Sequence, residues 1–440
     1  MDWISLRVCR TAGMPSLVAL ALATSIAVLP ADPPEQGEIR VARLIRDLGA
    51  GDYSKRQAAD EQLATLGGQS RSHLERALTD QDVEVRLRAK RLLDRLKLDE
   101  LWSAGNVQFQ ARGELASKVL TALALQSGNH IYIGDPYGHF AEKTLDANYA
   151  AISYWEAIDD ICRRTGNRIR PHYDMHTPGI VVSAGAPGNY PRAYAGPVRA
   201  QITSARRVFI EELNYEEQKA ELTHSFQINL QFTWEDRFRI VGYATQPELV
   251  EAITDERVAV SAAQPSGNGW NATTRGLRQV AAGVKLNPVP VSSKTLQFLK
   301  IKWGLIAVGE LAVLEVSHLE PEKLYSQDDL AMRIESIEKQ PTAKYVLTLN
   351  VVRDLAMPDP QEVIFQEYEA ELLDGQGRAF RVQSQTHTLS ERGVQLKVAY
   401  IGESAESEPK SLKLHYPRLR ARRDLELVFR NVPLPVNKPE

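Results

Sequence analysis

Apolar residues along this chain follow three successive rhythms. From Ile39 to Leu98 they recur every three to four positions, the spacing that gathers them on one face of a helix. From Val107 to Ser183, short stretches of alternation are interleaved with two helical stretches. From Gly196 onward alternation dominates and is rich in β-branched and aromatic residues, as in antiparallel strands with one buried face. The first stretch also repeats itself. Leu44, Leu48, Asp52, Arg56, Ala59, Leu63 and Leu66 are matched thirty positions later by Leu74, Leu78, Asp82, Arg86, Ala89, Leu93 and Leu96. Each unit reads as a helix, a turn carrying Asp, and a second helix. The Asp can cap that second helix, and the Arg can pair with the Asp or with carbonyls of the turn.

The middle stretch predicts the order β-α-β-β-α-β-β. Val107–Gln110 alternates and is ended by Gly113. Leu115, Val119, Ala122 and Leu123 then share a helical face, and Gly128-Asn129 stops that helix. His130–Ile133 is a second strand, and Lys143–Tyr149 a third. Ser153 with Glu156 forms a capping box for a helix whose apolar face carries Ile152, Trp155, Ile158, Ile161 and Cys162. Gly166-Asn167 ends it, and Arg168–Arg170 and Ile180–Ser183 are the last strands.

The runs Leu115-x(3)-Val-Leu-x-Ala-Leu-Ala-x-Gln-Ser-Gly128 and Trp155-Glu-Ala-Ile-Asp-Asp-Ile-Cys-Arg-Arg-Thr-Gly166 carry a resemblance. Together with the strand order, residues 107–183 resemble the short N-terminal domain of secretins and TonB-dependent receptors (the STN domain). The resemblance implies a periplasmic module that makes protein–protein contacts. No run of long amphipathic strands for an outer-membrane barrel or a secretin ring follows it, which leaves the docking module alone. The thirty-residue units before it resemble HEAT repeats in a short variant. Two units are fewer than a solenoid needs to bury a continuous core, so the pair is expected to lean on the module at Val107, with Leu101-Trp102 as the wedge.

After a Gly/Pro-rich linker at 187–196, strands are expected at 198–204, 225–234, 257–262, 295–301, 311–317, 344–352, 366–372, 379–384, 395–401, 413–416 and 425–430. They read as two antiparallel β-sandwiches, 197–320 and 340–436, joined by a polar segment holding one helical turn. The region also looks duplicated. Phe226-x-Ile-x-Leu230 matches Tyr345-x-Leu-x-Leu349, and Asp255 matches Asp374, each at an offset of 119 (345 − 226 and 374 − 255). Leu299–Trp303 resembles Ser411–His415 followed by Tyr416 at a shorter offset. Asp374-Gly-Gln-Gly377 is a hairpin turn.

Composition refines this picture. At 440 residues several domains are expected, and 43% apolar with 25% charged residues is ordinary for a soluble protein. A net charge of −3 argues against nucleic acid as the main partner. The basic run Arg418-Leu-Arg-Ala-Arg-Arg423 reads as a solvated face rather than a binding patch. Arg7 and Arg10 precede an apolar run from Leu17 to Leu29, and small residues follow. Residues 1–31 are therefore a secretory signal peptide, and the mature chain has no transmembrane span. Its removal leaves Cys162 without a disulfide partner, as a core residue.

Candidate chemistry is sparse. His172, Asp174 and His176 would converge on a metal if extended, yet Pro171 and Pro178-Gly179 bracket them as a polar loop, and no metal or cofactor is assigned. Glu211–Glu217 and Trp234-Glu-Asp236 are read as solvated charged faces rather than a glycosidase pair. There is no nucleophile elbow, phosphate-binding loop or His-Glu-x-x-His helix.

The sequence thus predicts a multidomain α+β protein of the cell envelope. Its parts are a HEAT-like helical pair (36–99), an STN-like βαββαββ module (104–186) and two β-sandwiches. It is expected to be periplasmic or otherwise extracytoplasmic and non-enzymatic. It would dock an envelope partner, a secretin or a TonB-linked system, by strand addition at Ile131, Tyr132 and Ile133 and near Lys143. The alternative is cell-wall or carbohydrate binding by the sandwiches, with Trp270 as the platform.

Overall fold

The computed structural model describes residues 34–134, 140–172, 179–216, 219–263, 269–273, 277–327, 329–341, 344–353, 368–390, 393–402 and 407–435. The expected signal peptide, Asp174 and His176 lie outside them. The chain divides into two compact units between Leu92 and Leu93.

The first unit is helical: α1 (Pro34–Asp47), α2 (Tyr53–Leu66), a 3-10 turn (Gly67–Ser70), α3 (Arg71–Ala77) and the start of α4 (Val83–Leu101), which crosses the division. The thirty-residue repeat recurs here bond for bond. Asp52 Oδ1 accepts from the Ser54 amide at 2.8 Å, and Asp82 Oδ1 accepts from the Glu84 amide at 2.8 Å. Arg56 Nη1 donates to the carbonyls of Ala50 (2.7 Å) and Gly51 (3.1 Å); Arg86 Nη1 donates to those of Asp80 (2.7 Å) and Gln81 (3.0 Å). The arginine thus fastens the turn through its carbonyls, while the aspartate satisfies amides that a helix start leaves orphaned. One apolar pair departs from the repeat: Leu48 is fully buried, whereas Leu78 is exposed.

The second unit is mostly β. Its α/β part contains β1 (Asn106–Leu115), α5 (Ala116–Ser127), β2 (Ile131–Ile133), β3 (Thr144–Ser153), α6 (Tyr154–Thr165), β4 (Asn167–Pro171) and β5 (Ile180–Ala184), in the predicted order. β1 and β3 form an antiparallel pair, and β2-β5-β4 a three-stranded sheet in which β2 and β5 are parallel. Gly113 does not end β1 as expected. At φ +60° it sits in a bulge opposite β3, its amide bound to Asp146 Oδ1 at 2.7 Å, and the strand runs on to Leu115. Leu115 is therefore outside the helix, and Ala116, Val119, Leu120 and Leu123 form the buried face of α5. Ser153 and Glu156 make the predicted capping box, and Gly128 and Gly166 end the two helices in the left-handed conformation. Trp155, Ile158, Ile161 and Cys162 are buried as expected, while Ile152 belongs to β3.

The remaining strands are β6 (Arg192–Ala195), β7 (Val198–Asn214), β8 (Lys219–Trp234), β9 (Arg239–Ala244), β10 (Glu248–Thr254), β11 (Trp270–Ala272), β12 (Gln279–Leu286) and β13 (Thr295–Val316). They are followed by β14 (Leu324–Gln327), β15 (Leu330–Gln340), β16 (Lys344–Arg353), β17 (Glu369–Asp374), β18 (Arg381–Ser390), β19 (Gly393–Ile401) and β20 (Pro409–Pro433). Three sheets result: β12-β8-β7-β6, β14-β15-β16-β19-β18, and a central one ordered β11-β9-β13-β20-β17 with β10 also on β13.

Two expectations need correction. The supposed helical turn after Asp328 is strand, because Leu330, Met332 and Ile334 alternate with exposed or half-buried neighbours. The expected pairs of short strands at 295–301 and 311–317, and at 413–416 and 425–430, are single strands. β13 and β20 pair from Thr295↔Pro433 to Val316↔Leu412. One end of this ribbon (Leu299, Ile301, Trp303 with Leu425, Leu427, Phe429) enters the first sandwich core; the other (Leu314, Val316 with Leu412, Leu414, Tyr416) enters the second. The two sandwiches therefore share a sheet instead of each closing on its own stretch of chain. Between the two ends the pairing shifts around Glu310, and the inward positions change from odd to even numbers, as an extra residue in a strand requires.

Hydrogen bonding also fixes the register of the duplication. In the first half the amide of Thr254 bonds to Val258 O, Arg257 to Thr254 O, and Val260 to Ala252 O. In the second, Asp374 bonds to Arg378 O, Gly377 to Asp374 O, and Phe380 to Leu372 O. Arg257 (φ +63°) and Gly377 (φ +78°) take the same left-handed turn position. The match of Asp374 is thus Thr254, one residue before the expected Asp255. Along the long strands Leu299, Ile301 and Trp303 correspond to Leu412, Leu414 and Tyr416, at an offset of 113 (412 − 299).

Candidate functional site

An exposed strand edge is the feature of the α/β part that can act on another molecule. Among the described residues β2 pairs only with β5, so it is the edge strand of its sheet, with no second strand partner among them. Tyr132 and Ile133 are 36% and 38% exposed, and Ile131 is half-buried against the core. The Tyr132 ring stacks on His172, centroids 4.3 Å apart and planes 23° from parallel. His172 thus joins this edge. Gly179, at φ +144°, lets the chain pass: a Cβ there would sit 2.8 Å from both His130 O and the Tyr132 ring. Lys143 does not join the group. It is exposed and precedes β3 in the other sheet, with Nζ 3.5 Å from where a Gly166 Cβ would lie.

Behind this edge, polar side chains bolt the α/β part to the first sandwich. Trp234-Glu235-Asp236 is not a solvated face. Glu235 is 1% exposed, and its carboxylate accepts from the amide of Gly105 (2.8 Å), Asn129 Nδ2 (3.4 Å) and Arg237 Nε (2.8 Å). Asp236 Oδ2 accepts from the His130 amide at 2.7 Å, and Asn129 Oδ1 accepts from the Asp236 amide at 2.8 Å. The sequence hid this role because both carboxylates find partners more than a hundred positions away. Beside them Trp155 Nε1 donates to Pro197 O at 2.9 Å. Trp102 is wedged as expected, but into the first sandwich core, edge-on to Phe238 at 4.9 Å. The expected linker is shorter than 187–196, since Arg192–Ala195 is β6.

A second polar cluster centres on Asp159 of α6. Arg199 Nε and Nη2 donate to its two oxygens (2.6 and 2.9 Å), Tyr194 Oη donates to Oδ2 (2.8 Å), and Arg192 Nε lies 3.3 Å from Oδ1. Burial, then the Asp159 charge, raises the Tyr194 hydroxyl above its ordinary pKa.

The remaining candidates are accounted for structurally. Trp270 is half-buried against Val241, Ile306 and Val308, with the Arg422 guanidinium 4.7 Å above its ring, so one aromatic face is covered. The basic run is partly paired, while Arg422 and Arg423 stay exposed as expected of a solvated face. Arg418 lies 3.8 Å from Asp94 and 3.4 Å from Glu310, and Arg423 lies 3.4 Å from Asp99 with its guanidinium over Trp102. Among the described residues, no group of three His, Cys, Asp or Glu side chains is placed to hold a metal ion. No helix among them is long and apolar enough to cross a membrane.

No protein-family model and no curated protein matches the chain. Among solved structures it is similar to the conserved domain protein from Bacillus anthracis, at 8% identity and a TM-score of 0.17, over 54% of this chain and 89% of that one.

Proposed function

We propose that this is an exported, non-enzymatic protein of the cell envelope that docks a protein partner by strand addition at β2. The observation that carries this reading is the edge position of β2 among the described strands, with Tyr132 and Ile133 exposed on it. A partner strand would gain main-chain hydrogen bonds there and meet Tyr132 on one face of the sheet and Ile133 on the other. The buried bolts at Glu235 and Asp159 would hold the shared-sheet sandwiches in a set orientation to whatever is docked. The element order and the two helix-Gly junctions support likeness to the short N-terminal domain of secretins and TonB-dependent receptors, which makes such a channel or receptor the first partner to seek.

The test is in-cell crosslinking of tagged protein with mass spectrometry of the captured species, comparing wild type with Ile133→Pro. Proline at Ile133 removes one edge N–H and leaves the two cores untouched. Capture of one envelope protein by wild type, lost in Ile133→Pro with an unchanged circular dichroism spectrum, is the expected result. Equal capture by the variant rules out β2. Charge reversal at Lys143 serves as the comparison on the other sheet.

A further inference from the structure

One outward face of the first sandwich is laid with side-chain amides instead of charge pairs. Along β8 the even-numbered Phe226, Ile228, Leu230 and Phe232 enter the core, so Gln227, Asn229 and Gln231 point outward. The register sets Arg206, Ser204 and Gln201 of β7 beside them on one flank, and Lys285, Gly283 and Ala281 of β12 on the other. These positions hold no carboxylate and no bulky apolar side chain. The opposite outward face of the same sandwich is solvated by charge pairs, with Lys300 Nζ 2.7 Å from Glu426 Oε2 and Glu248 in register with Lys302. Solvation alone therefore does not call for the amides.

The amides hold one another in place. Gln201 Nε2 donates to Gln231 Oε1 at 2.8 Å, Gln227 Nε2 to Asn229 Oδ1 at 3.0 Å, and Asn229 Nδ2 to Ser204 Oγ at 2.8 Å. Arg206 Nε donates to Gln227 Oε1 at 3.0 Å, a neutral acceptor that does not offset its charge. Lys285 is exposed at the far side of the same row. Gly283 and Ala281 make a low ledge along β12: a Cβ on Gly283 would lie 3.3 Å from Gln227 Nε2 and 3.4 Å from Asn229 Oδ1. At its other end the face meets α6, where Arg199 of β7 holds Asp159.

We propose that this face binds a saccharide containing uronic acid. A donor and an acceptor side by side match a pair of neighbouring sugar hydroxyls. Gln231 Nε2 and Gln201 Oε1 are that donor and acceptor, left over from the bond the two amides make with each other. Arg206 and Lys285 stand two strands apart, about 10 Å, and supply positive charge for a uronate carboxylate at one end of the face. Nucleic acid fits less well, because the face offers no aromatic ring for base stacking. This site is separate from the β2 edge and stands whether or not strand addition occurs there.

The test is calorimetric titration of the full chain with tetragalacturonate, hyaluronan tetrasaccharide, neutral chitotetraose and a short oligothymidylate, at constant ionic strength. Saturable one-site binding of at least one uronate saccharide is expected, with chitotetraose weaker by about tenfold or more. Arg206→Gln/Lys285→Gln should bring that saccharide down to the level of chitotetraose, while the charge-matched Arg333→Gln/Arg381→Gln on the second sandwich leaves it unchanged. Gly283→Leu raises the ledge beside the amides and should weaken acidic and neutral saccharides alike. Should that variant lose its fold, Gln231→Ala carries this arm. Absence of saturable uronate binding, chitotetraose or oligothymidylate binding as tightly, or unchanged binding by the Arg206/Lys285 variant or the ledge variant would each overturn the proposal.

Discussion

Arg199 and Asp159 form a two-pronged ion pair, 2.6 and 2.9 Å, between β7 of the first sandwich and α6 of the α/β part. Their side chains are 4% and 9% exposed. Breaking such a pair leaves a buried charge without compensation, a loss of about 3–5 kcal/mol. Asp159→Ala is therefore expected to lower the thermal unfolding midpoint sharply. Asp159→Leu with Arg199→Met, which removes both charges, should recover most of the loss. A double variant as unstable as the single one would mean that the pair is not what holds α6 to β7.

The ribbon of β13 and β20 predicts that neither sandwich stands alone. Ending the chain at residue 341 would remove Leu425, Leu427 and Phe429 from the first core, where they are nearly or fully buried. Each such side chain contributes about 1.5–3 kcal/mol by burial, so the three together are comparable to the roughly 5–15 kcal/mol margin of an ordinary domain. The shortened protein should bind the dye ANS and lack a cooperative transition. A sharp transition from residues 34–341 would show that the first sandwich needs no strand from the second half.

Asp160 gives a pH-dependent prediction. Burial alone would raise its carboxyl, but hydrogen bonds from Tyr149, Arg163 and Arg164 outweigh it, and the folded value lies below the ordinary 3.8. A lowered folded value contributes stability above the unfolded pKa, and that contribution is lost as pH falls through the folded one. Asp160→Asn should lower stability slightly near pH 7, by under about 1 kcal/mol for this half-buried group, and by less near pH 2. A larger difference at pH 2 than at pH 7 would reverse the assigned sign.

Local signals were legible in the sequence and distant ones were not. The Ser153–Glu156 capping box, the glycine stops at Gly128 and Gly166, and the thirty-residue spacing of Asp52 and Asp82 all depend on neighbours within a turn or two, and each took its expected form. Glu235 was misread because its partners, Gly105 and Asn129, lie 130 and 106 positions away (235 − 105 and 235 − 129). β13 was read as two strands because Gly304 and Gly309 interrupt its alternation. In the fold, Gly304 is where the Trp270 ring approaches, 2.9 Å from the position of a Cβ, and Gly309 lies in the irregularity beside Glu310. The cluster around Asp159 left no local signature either: Arg192 and Arg199 come from two strands and meet Asp159 of α6 only after folding.

Cys162 supplies a probe of the same junction. Its thiol is buried on α6, and burial, then the Asp159 charge, pushes its pKa up to about 12. The thiolate is the reactive form, so at about pH 8 the native thiol should be inert for both electrostatic and steric reasons. In a Cys9→Ser background, a thiol-reactive dye should label Cys162 slowly in native protein and fully once unfolded. Asp159→Ala has two effects on that rate, and they reinforce each other. Removing a nearby negative charge favours the thiolate, and loosening α6 exposes the sulfur; both point to faster labelling. Labelling of the wild type as fast as that of unfolded chain would place Cys162 at the surface and undo the packing assigned to α6.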